Sequence, residues 1–260
     1  MNLGAATVVL RPRTLAEVLD LACRFCFSRA LGLYARLAAA VLLPPLAACL
    51  ALRHALGWGY LGVWAVAVLL AAALQGVFTI AVSRLLFAEQ LGVRAAIGLF
   101  ARRLGSYAGA LLGSRLLLAL AALPALIGLV FVWPRVLFVH EASLLEGAAP
   151  VDAIRRAGRF AVSSGNALGA LFALLATQIG IVLAAELLGQ GLVDDVLQLG
   201  RPFGGLFSHG GSPYALAGFF LSLPYVATAR FLGYIDARTR ADGWDVQLRF
   251  MNIAAAEERA

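Results

Sequence analysis

Four stretches of this chain, at about 30–52, 61–83, 165–188 and 213–235, run the length of a bilayer crossing with hardly a charge in them. A hydrocarbon core of about 30 Å takes about 20 apolar residues of helix. Backbone exposed to lipid must satisfy its own hydrogen bonds, so such runs read as helices. The whole chain is 62% hydrophobic and 13% charged, against roughly 45–50% and roughly 25% for a soluble domain. One globule of 260 residues cannot hide that surplus. The composition predicts an all-α integral membrane protein forming a single polytopic domain over 1–260.

A fifth apolar stretch, about 107–140, is broken by Pro124 and Pro134 and carries Arg115 and Arg135. One long helix there gives five spans. A hairpin turning near Leu123-Pro124 gives six, with arms about 25 Å long at roughly 1.5 Å per residue. Arms that short require local thinning or tilt.

Three charged segments precede spans. In "TLAEVLDLACRFCFSRA", Thr14 and Glu17 form a T-x-x-E capping box that marks a helix start. Leu15, Val18, Leu19, Ala22 and Cys26 recur at helical spacing, with Glu17, Asp20, Arg24 and Ser28 mostly opposite. "VRAAIGLFARRLGSY" sets Val93, Ala96, Ile97 and Phe100 against Arg94, Arg102 and Arg103. "PVDAIRRAGRFAVSSG" opens on Pro150, which suits a first helical turn, and sets Val151, Ile154, Ala157 and Ala161 against Asp152, Arg155, Arg156 and Arg159. Each is too charged to span and suits the interface plane, arginines at the headgroups.

The three segments align, with Leu19, Ile97 and Ile154 in one column and Arg24, Arg102 and Arg159 in another. A second element recurs before or after them: Arg84 to Glu89, Arg135 to Glu141 and Arg230 to Asp236, each an arginine, three apolar residues and then an acid. The repeating unit is an interfacial helix, a span, a return span and this exit. It predicts six transmembrane helices in three repeats, at approximately 11–89, 90–141 and 142–240, with a tail at 241–260. The exit arginines are placed about one turn inside the boundary. There they snorkel to the phosphates or pair with Glu89, Glu141 and Asp236, which mark the water line.

Charge asymmetry supports six spans. With six, one side carries Arg11, Arg13, Arg24, Arg29, Arg84, Arg94, Arg102, Arg103, Arg135, Arg155, Arg156, Arg159 and the arginines of the tail. The other carries only Arg53 and Arg201. The positive-inside rule makes both termini cytoplasmic. The net charge of +7 is then assigned to the membrane surface and anionic headgroups rather than to nucleic acid. All basic residues are arginine, which with the Ala, Leu and Gly usage points to a bacterial inner membrane. The opening twenty residues lack the pattern of a secretory signal.

Three elements, in this order, resemble a bacterial polytopic membrane family: "LRPRTLAEVLDLACRF", "HEASLLEGAAPVDAIRRAGRFAVSSG" and "LGYIDARTRADGWDV". The family is the one related to the membrane domain of glycerophosphoryl diester phosphodiesterases. The closing element is the most specific, through Tyr234, Asp236, Arg238, Arg240, Gly243 and Asp245. It departs at Asp242, where glutamate is usual, and the central element departs at Ala157, where serine is usual. The resemblance implies a membrane protein; some relatives are fused to a separate phosphodiesterase domain that does the chemistry, and some are encoded beside AAA-type ATPases. No catalytic domain is expected on this chain.

Chemistry-bearing residues are sparse. Cys23 and Cys26 form a lone C-x-x-C without the second pair a zinc site needs. With Cys49 they are expected to be packing residues. "HEASL" is not H-E-x-x-H, His54, His140 and His209 are scattered, and neither a phosphate-binding P-loop nor a dinucleotide fingerprint is present. No catalytic, cofactor or metal site is expected. Polar groups inside spans carry the functional interest: Gln75, Arg115, Thr177, Gln178 and Glu186. Arg115 should have a partner, and Glu186 reads as the only intramembrane acid. Tyr234, Arg238, Arg240, Gly243, Trp244 and Asp245 read as a C-terminal docking motif. The leading expectation is a non-enzymatic, lipid-binding scaffold or assembly subunit that engages another membrane or cytoplasmic protein. The alternative is a transporter or lipid-handling protein with a polar path through the membrane.

Overall fold

The computed structural model describes residues 12–87, 90–124 and 126–242. Glu89, Gly243, Trp244 and Asp245, singled out above, lie outside the described residues. Among the described residues the chain is all-helical, and six helices are long and apolar enough to cross a membrane. The protein is a multi-pass membrane protein with spans at Leu31–His54, Tyr60–Leu86, Val93–Ala122, Ile127–Glu146, Ala167–Val196 and Pro213–Ala241.

The first helix, α1 (Leu15–Ser28), starts where the capping box places it. The Thr14 hydroxyl accepts the Glu17 amide at 3.3 Å, and the Glu17 carboxylate accepts the Thr14 amide at 2.9 Å. Two free amides of the first turn are thereby satisfied. The first span breaks into α2 (Leu31–Val41) and α3 (Leu43–His54), because Pro44 and Pro45 supply no amide hydrogen to the turn before them. It returns as the unbroken α4 (Tyr60–Leu86).

The disputed stretch is a hairpin. α5 (Val93–Ala122) and α6 (Ile127–Arg135) are joined by a tight turn in which Leu126 takes φ 66°. Its arms are longer than the sequence implies. α5 carries the second charged segment straight into its span, so that segment is not a separate helix. Nothing between Arg103 and Tyr107 stops it; Gly105 alone costs only about 1 kcal/mol against alanine. The return arm bends at Val136–Phe138 after Pro134 and continues as α7 (Val139–Glu146). Short arms and a thinned bilayer are therefore not needed.

By contrast, α8 (Pro150–Ser163) is separate from the span that follows, α9 (Ala167–Gln190). Gly165, at φ 67°, turns the chain between them. A π-helical turn at Gly191–Val196 and the short α10 (Leu206–His209) lead to α11 (Pro213–Asp242).

α11 is the axis of the bundle and packs against α1, α4, α8 and α9. α9 comes closest: a Cβ on Gly218 would run into Ala185 and the α9 backbone, the small-residue approach usual between helices in lipid. α4 and α11 are largely buried, while α5 and α9 present Leu112, Leu116, Phe172, Ile179 and Leu187 outward. Apolar outward faces need no further covering in a bilayer.

Candidate functional site

The polar groups of the spans gather around one residue, Arg230 on α11, which is 9% exposed. Pro134 prepares its setting. The bend after that proline leaves Leu137 ahead of the first turn of α7, and the Leu137 carbonyl accepts from Arg230 Nη2. The same nitrogen reaches Glu141 Oε2 at 3.2 Å, and Nη1 reaches Gln75 Oε1 on α4 at 3.2 Å. Two other spans thus converge on the guanidinium carried by α11. Glu141 is fully buried, so the pair needs good geometry to offset desolvation.

A second polar pair stands beside it. Tyr107 on α5 bonds the Ala72 carbonyl at 2.6 Å and His140 Nδ1 at 2.7 Å. A phenol has one hydrogen, and a carbonyl only accepts. The Tyr107 hydroxyl therefore donates to Ala72, and His140 donates from Nδ1 to the Tyr107 oxygen.

Two cavities meet at Arg230. One, of about 300 Å³, lies within the spans; Gln75, Arg115, Gln178 and Arg230 are its polar wall, with Trp133, Leu171 and Phe219 among the apolar lining. The other, of about 630 Å³, lies at the arginine-rich end between α1, the α8–α9 turn and α11; its polar wall includes Arg13, Thr14, Ser164, Asn166, Asp236 and Arg240. Leu137, Leu174 and Arg230 belong to both walls. Arg230, with Leu137 and Leu174, thus borders both the inner cavity and the outer one, a vestibule.

The structure thus brings together three of the five intramembrane residues selected from sequence, Gln75, Arg115 and Gln178, and adds Arg230. Gln178 donates to Ser222 at 3.1 Å. Arg115 has no hydrogen bond or ion pair among the described residues, contrary to the expectation of a partner. Glu186 is apart. Its carboxylate accepts the Leu206 amide at 2.8 Å, Gln190 Nε2 at 2.5 Å and the Ser212 hydroxyl. Ser212 in turn accepts the Ala215 amide at 3.0 Å. Glu186 clamps the loop between α9 and α11.

Two expectations need correction. Glu186 is not the only acid within a span-length apolar helix, because Glu141 lies inside Ile127–Glu146 and is fully buried in protein. Its sequence position reads as a helix exit; only the bend after Pro134 carries the span past it. Nor does Arg230 pair with Asp236 on its own helix. Asp236 accepts the Arg13 amide at 2.6 Å and pairs with Arg240 at 2.9 Å. Arg240 also donates to the Arg13 carbonyl at 2.8 Å, tying the segment before α1 onto α11.

The exit arginines do not share an environment: Arg84 is half-buried, Arg135 exposed and Arg230 buried. The column residues Arg24, Arg102 and Arg159 are all exposed; Arg24 pairs with Asp20 at 3.0 Å, and Arg159 lies over the Phe160 ring. Of the closing motif's described residues, Tyr234 is buried and donates to Glu146 at 2.5 Å, and Arg238 donates to the Tyr234 hydroxyl at 3.2 Å. Arg156 also pairs with Glu146. This motif therefore locks α7, α8 and α11 together, a role that nothing in its spacing announces.

Among the described residues no group of three or more His, Cys, Asp or Glu side chains could hold a metal ion. No protein-family model, curated protein or solved structure matches the chain.

Proposed function

We propose that this is a non-enzymatic lipid-handling protein of the bacterial inner membrane, with a polar path running from a cytoplasmic vestibule past Arg230 to a cavity inside the spans. The carrying observation is the shared wall: one buried arginine borders both cavities. A purely structural ion pair has no need of a cavity on either side, and close-packed interiors hold few voids larger than a water molecule. Mixed polar and apolar lining suits an amphiphile, whose head and tail need different walls. The resemblance to the membrane domain of glycerophosphoryl diester phosphodiesterases fits a lipid role. Both termini are placed in the cytoplasm on the arginine asymmetry. The three-unit organisation is retained in the proposal, supported by α1 and α8 as separate helices ahead of spans.

The test is transfer of a fluorescent anionic phospholipid between leaflets of liposomes holding the purified protein. We expect transfer above that of empty liposomes, cut at least about tenfold by narrowing the vestibule with a Gly233→Trp variant checked for wild-type melting, since Gly233 lines that cavity. Transfer equal to empty liposomes overturns the reading.

The scaffold reading is favoured by one observation of its own: the outward arginines of α1, α5 and α8 at one end of the bundle. Pull-down from native membranes with wild type and with Arg24→Ala/Arg102→Ala/Arg159→Ala tests it. A partner kept by wild type and lost by the variant supports scaffolding, and no partner for either removes it.

A further inference from the structure

Among the described residues, the wall of the inner cavity carries two guanidiniums, Arg115 and Arg230, and no carboxylate. Gln75 Oε1 accepts from Arg230, which can only donate, so the orientation of the amide is determined. Gln75 Nε2 is then left buried with no partner, and so is Arg230 Nε. Arg115 adds an entire unpaired guanidinium to the same wall. Glu141 Oε1, a buried acceptor also without a partner, is not part of that wall. Charge tells the same story. Glu141 offsets Arg230, and nothing among the described residues offsets Arg115. An uncompensated cation inside a span is costly, and an anion with several acceptor oxygens in the cavity would satisfy Arg115.

The apolar part of the wall says what the anion is attached to. Phe219 belongs to it, as does Val68, which is 47% exposed although it lies within the span of α4. The cavity therefore opens sideways, toward acyl chains.

We propose that this cavity is a binding site for the phosphate or carboxylate headgroup of an anionic amphiphile, held by the Arg115 guanidinium, with its acyl chain leaving past Val68 and Phe219. The assignment rests on the lipid-handling reading for its biological use, but not for its chemistry. Charge-assisted hydrogen bonds are about twice as strong as neutral ones, so Arg115, the residue with no competing partner, is the principal donor.

The test is the melting temperature of the purified full-length protein, titrated with micelles carrying phosphatidic acid, with phosphatidylcholine micelles, or with inorganic phosphate alone. Phosphatidic acid should raise the melting temperature, and phosphatidylcholine should not. Arg115→Gln should not lower the ligand-free melting temperature, since it breaks no contact and removes an uncompensated charge, and should weaken the apparent Kd by about tenfold or more. Arg115→Lys should recover part of that loss. Arg102→Gln removes the same charge from an exposed site and should leave the affinity unchanged. A shift produced by inorganic phosphate alone keeps the anion site and assigns it to the free ion. Equal binding by Arg115→Gln and wild type, or an equal response to phosphatidylcholine, overturns the proposal. Binding that depends on Arg115 without leaflet transfer would leave this site standing and remove the lipid-handling reading.

Discussion

Arg230 on α11 and Glu141 on α7, 89 positions apart in sequence, meet at 3.2 Å inside the bundle, while Asp236 on Arg230's own helix is taken up by Arg13 and Arg240. The axial helix is thereby tied to the broken span through a pair of opposite charges rather than through apolar packing alone.

Removing one member of such a pair leaves the other charged, buried and unpaired, at a cost of about 3–5 kcal/mol. Arg230→Leu and Glu141→Leu should each lower stability by an amount of that order. The double variant, with no charge left behind, should recover most of it. Urea unfolding in mild detergent measures this. Single variants as stable as wild type would remove the pair from any account of the fold.

Glu186 predicts a local effect. Glu186→Ala leaves the Leu206 amide, the Ser212 hydroxyl and Gln190 without their acceptor, and losses of this kind cost about 1–3 kcal/mol each when buried. We expect faster amide exchange and proteolytic cleavage across 197–212, with the Arg230 cluster unchanged. Global loss of protection at the same rate would mean that the loop is not a separate unit.

The cysteines should differ in reactivity. Cys23 is exposed, whereas Cys26 and Cys49 are buried. Burial pushes the Cys26 thiol up, outweighing its hydrogen bond to Thr228, and the thiolate is the reactive form. A maleimide should label Cys23 in the folded protein and reach Cys26 and Cys49 only after denaturation. As the pH rises through the ordinary thiol range, Cys26 should stay unlabelled. Labelling of Cys26 together with Cys23 would contradict the packing of α1 on α11.

The sequence by itself determined the class of the protein and the start of α1, and favoured six spans over five. These follow from local quantities: the length of an apolar run against the bilayer thickness, arginines counted on either side, and a capping box whose two bonds lie within one turn. Gln75, Arg115 and Gln178 were legible too, because a polar residue in an apolar run is conspicuous wherever it points. Which polar groups meet was decided only by the tertiary structure. Arg230 and Glu141 look like ordinary boundary residues until the bend after Pro134 carries Glu141 inside and the packing of α11 against α4 brings Gln75 within reach. Glu186, conspicuous for the same reason as Gln178, lies about 12 Å further along α9 at roughly 1.5 Å per residue and serves the loop instead. Pairing across helices depends on how each helix is rotated and how it bends, and those are set by many packing contacts at once rather than by the spacing of any one segment.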